Sequence, residues 1–505
     1  MATMPVTAAG EVERTFEVAG AEVLDGADVA RVLGHHVPAE PVERLQEAVY
    51  FDTADLALHG DRVTLRRRTG GPDDGWHVKL PAAGDRREEL HAPLTPAGSA
   101  PPPDVTALVR AAARGRPLGP VAELMTRRRA WEATDAAGQR VAELVVDQVT
   151  ARTGAGGEAM QAWQEIEVEV GPAAPEGYLD VVEERLAARG IRRSPSASKV
   201  GRVLGERPAP RLPDEDTAAG VVLRYLAEHG RTLRGWDPLV RLDREDAVHQ
   251  MRVSARRLRS ALQGFGRVLD RERTRALTDE LRWLAGELAP ARDTEVMLAR
   301  LQDMLAALPP TLVVGPVAAE VAQAFARRGA AARGRVLAAL DSKRYVAVLR
   351  ALDALLADPP LTARAPRVAR EVLPREVDRA HRKVVVAMAA ADGVPRGPER
   401  DAALHETRKK AKRLRYATEV AEPALGDPAR RLRRRMKDVQ ELLGVHQDSV
   451  VTRATLLELA GGGPGPREVT HDFTLGMLHA AEVERAHEVE EMLPAVWATV
   501  PAPGQ

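Results

Sequence analysis

At 505 residues the chain exceeds what one hydrophobic core supports, and roughly 100 to 200 residues per domain implies two to four units. Lys and Arg together number 73, as do Asp and Glu, so a net charge of zero moves any case for a polyanion partner onto local segregation of charge. With no cysteine, disulfides, thiolate metal sites and cysteine nucleophiles are excluded. No apolar leader or uncharged apolar run of about 18 residues occurs, so the expectation is a cytoplasmic protein with no membrane partner.

From Glu11 to about Leu204, short runs of period-two alternation are separated by Gly, Pro and Asp clusters, which is the pattern of strands and turns. Residues 24–34 and 176–190 read as helices, and LTPAGSAPPPD at 94–104 as a surface connection. Several strand-like runs carry charges two residues apart, which places them on one face: Glu11 with Glu13, Arg66 with Arg68, and Arg127 with Arg129. Glu143 with Asp147 and Glu165 with Glu167 and Glu169 follow the same rule. Such a face is ordinarily the solvated one. Here acidic pairs sit near both ends of the region with basic pairs between, and the alternating positions are apolar enough to meet a second layer, as in a barrel with a polar interior.

GERPAPRLPDED, beginning at Gly205, joins Pro, Gly and charge with almost no apolar content and reads as an interdomain linker. After it, apolar residues recur at three- and four-residue spacings to about Leu493, so the region is all helix, with breaks near Pro309, Pro359, Pro398 and Gly461. HQMRVSARRLR at His249 returns 156 residues later as HETRKKAKRLR at His405, and LAPARDTEV at Leu288 returns as LGVHQDSVV at Leu443. Two matches at nearly one offset, 156 and 155 residues, imply a duplicated helical unit.

At about 100° per residue, Arg252, Arg256 and Arg259 fall on the side of His249, while Met251, Ala255, Leu258 and Leu262 fall opposite. His405, Arg408, Lys412 and Arg415 repeat that stripe, with Arg257 and Arg413 on equivalent flanks. Each stripe is a cationic track of about 15 Å, which suits a linear polyanion better than a compact ligand. Guanidinium groups bind phosphate oxygens bidentately and stay charged, and an imidazole beside phosphate gains charge. One Arg-rich helix face is commonly just solvated; its duplication with the histidine points to binding. Nucleic acid would meet the same cations, but apart from Tyr416 the stripes hold no aromatic platform for bases, so nucleic acid is the disfavoured partner.

The stretches EVERTFEV, YFDTADLALHGDRVTLRRR, WHVKLP, RREEL, RRRAW, ELVVDQV, QEIEVEV and SASKVGRVL occur in the order of the CYTH, or triphosphate tunnel metalloenzyme, family, which residues 9–205 resemble. The resemblance implies an antiparallel eight-stranded β-barrel, the triphosphate tunnel, that holds a triphosphate compound with Mg²⁺ or Mn²⁺. It implies Glu11, Glu13 and Lys79 as catalytic residues. Glu11, Glu13, Asp147, Glu165, Glu167 and Glu169 would be metal ligands or their supports; Arg66, Arg68, Lys79, Arg127, Arg129 and Lys199 would hold phosphate. Tyr50 and Asp52 belong to packing and turn structure. The family's E-x-E-x-K signature ends here in Thr15, and Arg14 on the opposite face is no replacement, so triphosphatase activity and a phosphate-binding chamber without turnover stay open.

After the linker at 206–216, residues 217–495 resemble the CHAD family, whose members carry two H-x-x-R-x-x-x-[KR]-R-L-R helices in a bundle and bind inorganic polyphosphate. The resemblance implies an all-α bundle in which His249, Arg252, Arg256, Arg257 and Arg259, with His405, Arg408, Lys412, Arg413 and Arg415, bind polyphosphate. Arg292–Asp293 and His446–Asp448 either order the neighbouring cations or cap helices. The combined expectation is a polyphosphate-binding protein, associated with polyphosphate granules, whose barrel binds or hydrolyses triphosphates. The alternatives are a metal-dependent hydrolase of inorganic triphosphate, thiamine triphosphate or a nucleotide with the helical domain as accessory, an adenylate cyclase relative, and a nucleic-acid-binding scaffold.

Overall fold

The computed structural model describes residues 7–18, 24–81, 86–96, 98, 100–153, 159–196, 198–205, 210–461 and 470–501. The chain divides into two compact units, Met1–Ala209 and Pro210–Gln505.

The first unit is an antiparallel sheet of β1 (Thr7–Glu17), β2 (Val42–Asp52), β3 (Thr64–Thr69), β4 (Gly75–Pro81), β5 (Arg86–Pro93), β6 (Gly119–Thr134), β7 (Arg140–Thr153), β8 (Ala159–Val170) and β9 (Arg192–Arg193). The order is β5-β4-β3-β2-β6-β7-β8-β1-β9, and β1 pairs with β5 through Thr7–Val12 and with β8 through Glu13–Glu17. Nine strands stand where eight were expected. The ninth is two residues long and adds to β1 beside Phe16 and Glu17, because the chain leaving the preceding helix runs back along that edge.

Alternation along the strands builds two apolar layers. Four helices interrupt the strands as far as β9, α1 (Gly26–Leu33), α2 (Ala57–Gly60), α3 (Pro103–Ala113) and α4 (Tyr178–Ala187), and on one face Phe16, Trp131, Leu144 and Ile166 meet α1 and α4, the two helices expected from the sequence. Asp25 closes a capping box with Asp28 at the start of α1, and Gly34 at φ 70° ends it, a conformation that costs glycine little. On the other face Tyr50, Leu124 and Val149 receive Val200 and Val203 of α5 (Lys199–Leu204). Ser198 accepts the N–H of Gly201 and caps α5, which fixes where Lys199 enters the sheet's concave side. Asp52 accepts the backbone N–H groups of Thr53, Leu58 and His59, so it holds the turn after β2, as its sequence position suggested.

The second unit is helical among its described residues: α6 (Ala218–Arg241), α7 (Ala247–Gly264), α8 (Arg271–Ala307), α9 (Val317–Asp341), α10 (Lys343–Ala357), α11 (Ala369–Asp392), α12 (Pro398–Leu425), α13 (Asp427–Gly461) and α14 (Thr470–Trp497). The two motif helices, α7 and α12, pack on each other, and each is followed by a long helix, α8 or α13. The apolar side of α7 is core: Met251, Ala255, Leu258 and Leu262 are buried, as is Leu414 of α12. No helix among the described residues is long and apolar enough to cross a membrane.

Candidate functional site

The concave side of the sheet encloses a cavity of about 250 Å³ whose wall takes side chains from each of β1 to β8 and from α5. Most of its cations are matched by carboxylates. Arg66 lies 3.3 Å from Glu89, Lys79 lies 3.5 Å from Glu13 and 3.6 Å from Glu89, and Arg68 pairs with Asp73. Arg140 lies 3.2 Å from Glu169 and 3.9 Å from Glu143. At the deepest point the Lys199 ammonium stands 2.6 Å from Glu167, 2.7 Å from Glu165 and 3.0 Å from Asp147, whose exposure is 0%.

The order of charges sets the protonation states. Burial alone would keep Glu167 neutral, but Lys199 and Arg128 hold its pKa well below the ordinary carboxylate range. The same carboxylates raise Lys199 above its usual value despite its burial. Burial pushes the Arg68 guanidinium down to about 9, with Arg66 adding repulsion. Glu165 and Glu169 are raised, chiefly by burial.

Of the expected residues, Glu13, Arg66, Arg68, Lys79, Glu167, Glu169 and Lys199 line this cavity. Asp147, Glu165 and Glu167 bring carboxylate oxygens within 4.8 Å of one another. Glu11 lies on β1, but its side chain is outside the described residues. Thr15 also lines the wall, while Arg14 turns away to Asp180 (2.7 Å) and Glu183 (2.8 Å). Tyr50 packs as expected and also accepts a 3.4 Å hydrogen bond from Arg66.

Arg127 and Arg129 require a correction, because the phase of β6 is the other one. Arg128 is opposite Asp147 on β7 and Arg44 on β2, and residues directly paired in a sheet share a face. It donates from Nε to Asp147 (2.9 Å) and from Nη2 to Asp147 (2.6 Å) and Glu167 (2.9 Å). Arg127 is exposed, and Arg129 lies over Trp131 at 4.9 Å on the opposite face. A triplet RRR allows both phases; the signal for the right one is the small and apolar series Ala122, Leu124, Ala130 on even positions, which continues through Arg128. Glu89 was the second omission, since RREEL offers no partner at two-residue spacing that singles it out.

In the helical unit the stripes of α7 and α12 converge. Burial, together with Arg256, Arg408, Arg252 and Arg415, drives the Lys412 ammonium down to about 6, so cations of both helices act on one point. The Nε atoms of Arg252, Arg259, Arg408 and Arg415 and the Nδ1 of His405 are buried without a hydrogen-bond partner. His249 is lowered by burial and by Arg292. The carboxylates here are few: Asp293 lies 3.5 Å from Arg252, and Asp448, raised by its burial, is drawn back toward its ionised form by Arg408. Both sit inside long helices, so helix capping is not their role. His446 does not order the stripe; it stands 3.3 Å from Asp401 and 3.5 Å from Glu490.

Two expected members of the stripe are placed elsewhere. Arg257 is held by Glu419 at 2.8 Å, and Glu419 also accepts from the Tyr225 hydroxyl at 3.2 Å, so this guanidinium is spent on packing α6, α7 and α12 together. Arg413 opens on a separate cavity. A flank position at about 80 to 100° from the stripe reaches whichever neighbouring helix is nearest, which the repeat alone does not reveal.

A concave sheet of paired charges followed by a helical unit with convergent cationic stripes defines the class, and family models match accordingly: a CYTH domain over residues 9–204 and a CHAD domain over residues 224–457. The chain belongs to the family of proteins in which a CYTH domain is followed by a CHAD domain. It is 39% identical over 503 residues to an uncharacterized protein of Mycobacterium tuberculosis, covering 96% of this chain and 95% of the relative. Among solved structures, PptA from Streptomyces chartreusis is 23% identical with a TM-score of 0.48, covering 56% of this chain and 99% of that one. The CHAD domain from the plant Ricinus communis is 27% identical with a TM-score of 0.47, covering 58% of this chain and 96% of that one.

Proposed function

We propose that this protein binds inorganic polyphosphate along the groove between α7 and α12, and that its N-terminal sheet is a triphosphate tunnel that takes a triphosphate compound or chain end. The observation that carries the reading is Lys412: burial and four surrounding arginines hold its ammonium well below the ordinary lysine range with Asp448 as the opposing charge, and an extended phosphate chain supplies the missing counter-charge along the whole stripe. The orphaned donors of Arg252, Arg259, Arg408 and Arg415 give that chain its hydrogen bonds.

In the tunnel, eight strands form the wall and β9 is an addition to its rim. Asp147, Glu165 and Glu167 are hard oxygen donors close enough together to hold a divalent ion such as Mg²⁺ or Mn²⁺, and would do so once Lys199 and Arg128, which now engage them, turn to phosphate. A bound ion of that kind supplies Lewis-acid polarisation of a phosphoryl group. The chain's own cations do the rest. Arg66, Arg68, Lys79, Arg128 and Lys199 exchange their carboxylate partners for phosphate oxygens, and the buried wall keeps bulk water from the bound triphosphate. Glu13 and Glu169 stay behind as counter-charges. Thr15 leaves the wall one cation short between Glu13 and Glu167, which favours binding over fast turnover.

The test uses the full chain with polyphosphate of defined lengths and, separately, phosphate release from inorganic triphosphate with and without Mg²⁺ or Mn²⁺. Arg252→Ala with Arg408→Ala should abolish retention of long chains and spare triphosphate binding; unchanged retention overturns the groove. Metal-dependent release that Glu167→Gln removes supports a hydrolase, whereas wild-type protein as inert as Glu167→Gln marks the tunnel as a binding chamber.

A further inference from the structure

The flank that α12 turns away from the stripe carries a second basic cavity, of about 340 Å³, between the end of α7, the start of α8, α11 and α12. Six cations line it: Arg267, Arg271, Arg379, Lys383, Lys410 and Arg413. The one carboxylate in the wall, Glu376, is buried and already engaged by Arg379 at 2.6 Å and Arg267 at 3.9 Å. Among the described residues, Arg271, Lys383, Lys410 and Arg413 take part in no ion pair or hydrogen bond through their side chains. Lys383, although its side chain reaches solvent, lies below its ordinary range through partial desolvation and the repulsion of Lys410, Arg413, Arg379 and Arg271.

This cavity is not a continuation of the stripe. On α12, Lys410, Arg413 and Ala417 fall about 80 to 140° to one side of His405, and Arg408, Lys412 and Arg415 about 20 to 80° to the other, at about 100° per residue. Nor is it copied by the duplication. The positions of the first repeat that match Lys410 and Arg413 are Ser254 and Arg257. Ser254 is buried and donates to Gln250 O at 2.9 Å, and Arg257 is neutralised by Glu419. The stripe was kept in both halves; the unpaired flank exists in one.

We propose that this pocket is a separate anion site for a compact condensed phosphate of two or three phosphoryl units. The volume fits a small ligand and not a polymer. The unpaired side chains are multidentate donors to phosphate. The remaining wall is small or polar, with Ser260, Gln263, Gly264 and Ala380 and no aromatic ring for a base to stack on, which selects inorganic or aliphatic phosphates over nucleotides. The proposal stands apart from the polyphosphate groove and does not depend on it.

Calorimetry with inorganic triphosphate on the full chain carrying Arg128→Ala, Arg252→Ala and Arg408→Ala isolates the pocket from both other sites. About one triphosphate per chain should still bind. Adding Lys383→Ala and Lys410→Ala should weaken it about tenfold or more, while Lys383→Arg with Lys410→Arg retains it. No binding in the starting variant, or binding indifferent to the two alanines, overturns the site. ATP binding tenfold tighter than triphosphate overturns the ligand class, and one-for-one displacement by long polyphosphate overturns its independence. The groove is judged by a different readout, the retention of long chains by otherwise unaltered protein bearing Arg252→Ala and Arg408→Ala.

Discussion

Two cation-rich sites in one chain solve the problem of buried positive charge in opposite ways. In the sheet cavity Arg66, Arg68, Lys79, Arg128, Arg140 and Lys199 each have a carboxylate partner, so most of the positive charge of the ligand-free site is neutralised in place. In the helical groove Arg256, Arg259, Arg408 and Lys412 have neighbours of their own sign, and the buried Nε donors of Arg259 and Arg408 have no acceptor. The first arrangement holds a ligand by exchanging partners and discriminates by geometry. The second is under repulsion that an anion relieves, so its affinity follows charge and length.

The sharpest way to separate the two is to remove one lysine from each. Lys199→Met leaves Asp147 and Glu167 with Arg128 as their remaining cation and Glu165 with the Trp163 N–H alone, and should destabilise the first unit by about 3 kcal/mol in urea unfolding. Lys412→Met removes repulsion and should leave the second unit as stable or more so; a comparable loss there would break the contrast. Next in size, Arg252→Ala with Arg408→Ala should weaken polyphosphate binding about a hundredfold and flatten its salt dependence.

Protonation distinguishes them further. Lys412 has a folded pKa near 6, below its unfolded value, so folding releases a proton and stability rises with pH through the window from about 6 to the ordinary lysine range. Polyphosphate favours the charged form. Binding at pH 7 should take up about one proton, seen as a buffer-dependent heat, and affinity should fall as pH rises from 6 to 8. Lys412→Met should remove that uptake. A smaller change is expected from Thr15→Lys, which adds a cation between Glu13 and Glu167 and should tighten triphosphate binding up to about tenfold. Arg127→Ala should do nothing to triphosphate binding in the tunnel, where Arg128→Ala abolishes the tunnel's share of it; the reverse result would restore the other phase of β6.

Most of the fold was legible because its periodicities are strong: α7 and α12 show their apolar and basic sides in the bare sequence, and Pro309, Pro359 and Pro398 fall at helix ends. The site was legible where spacing alone fixes the face, as for Glu165, Glu167 and Glu169 or Arg66 and Arg68. It was not legible where two phases compete, as in Arg127–Arg128–Arg129, or where the partner is distant in sequence, as for Glu89 with Arg66.

The sequence by itself determined the two units, the duplicated stripes and the sign of charge on each strand, because these follow from local repeat and composition. Only the tertiary structure decided which cations are neutralised. Arg257 and Arg413 occupy equivalent positions in two copies of one motif, yet one meets Glu419 and the other an open cavity. Charge pairing depends on what another helix brings to within a few ångströms, and the Coulomb energy that rewards it falls off over that same distance.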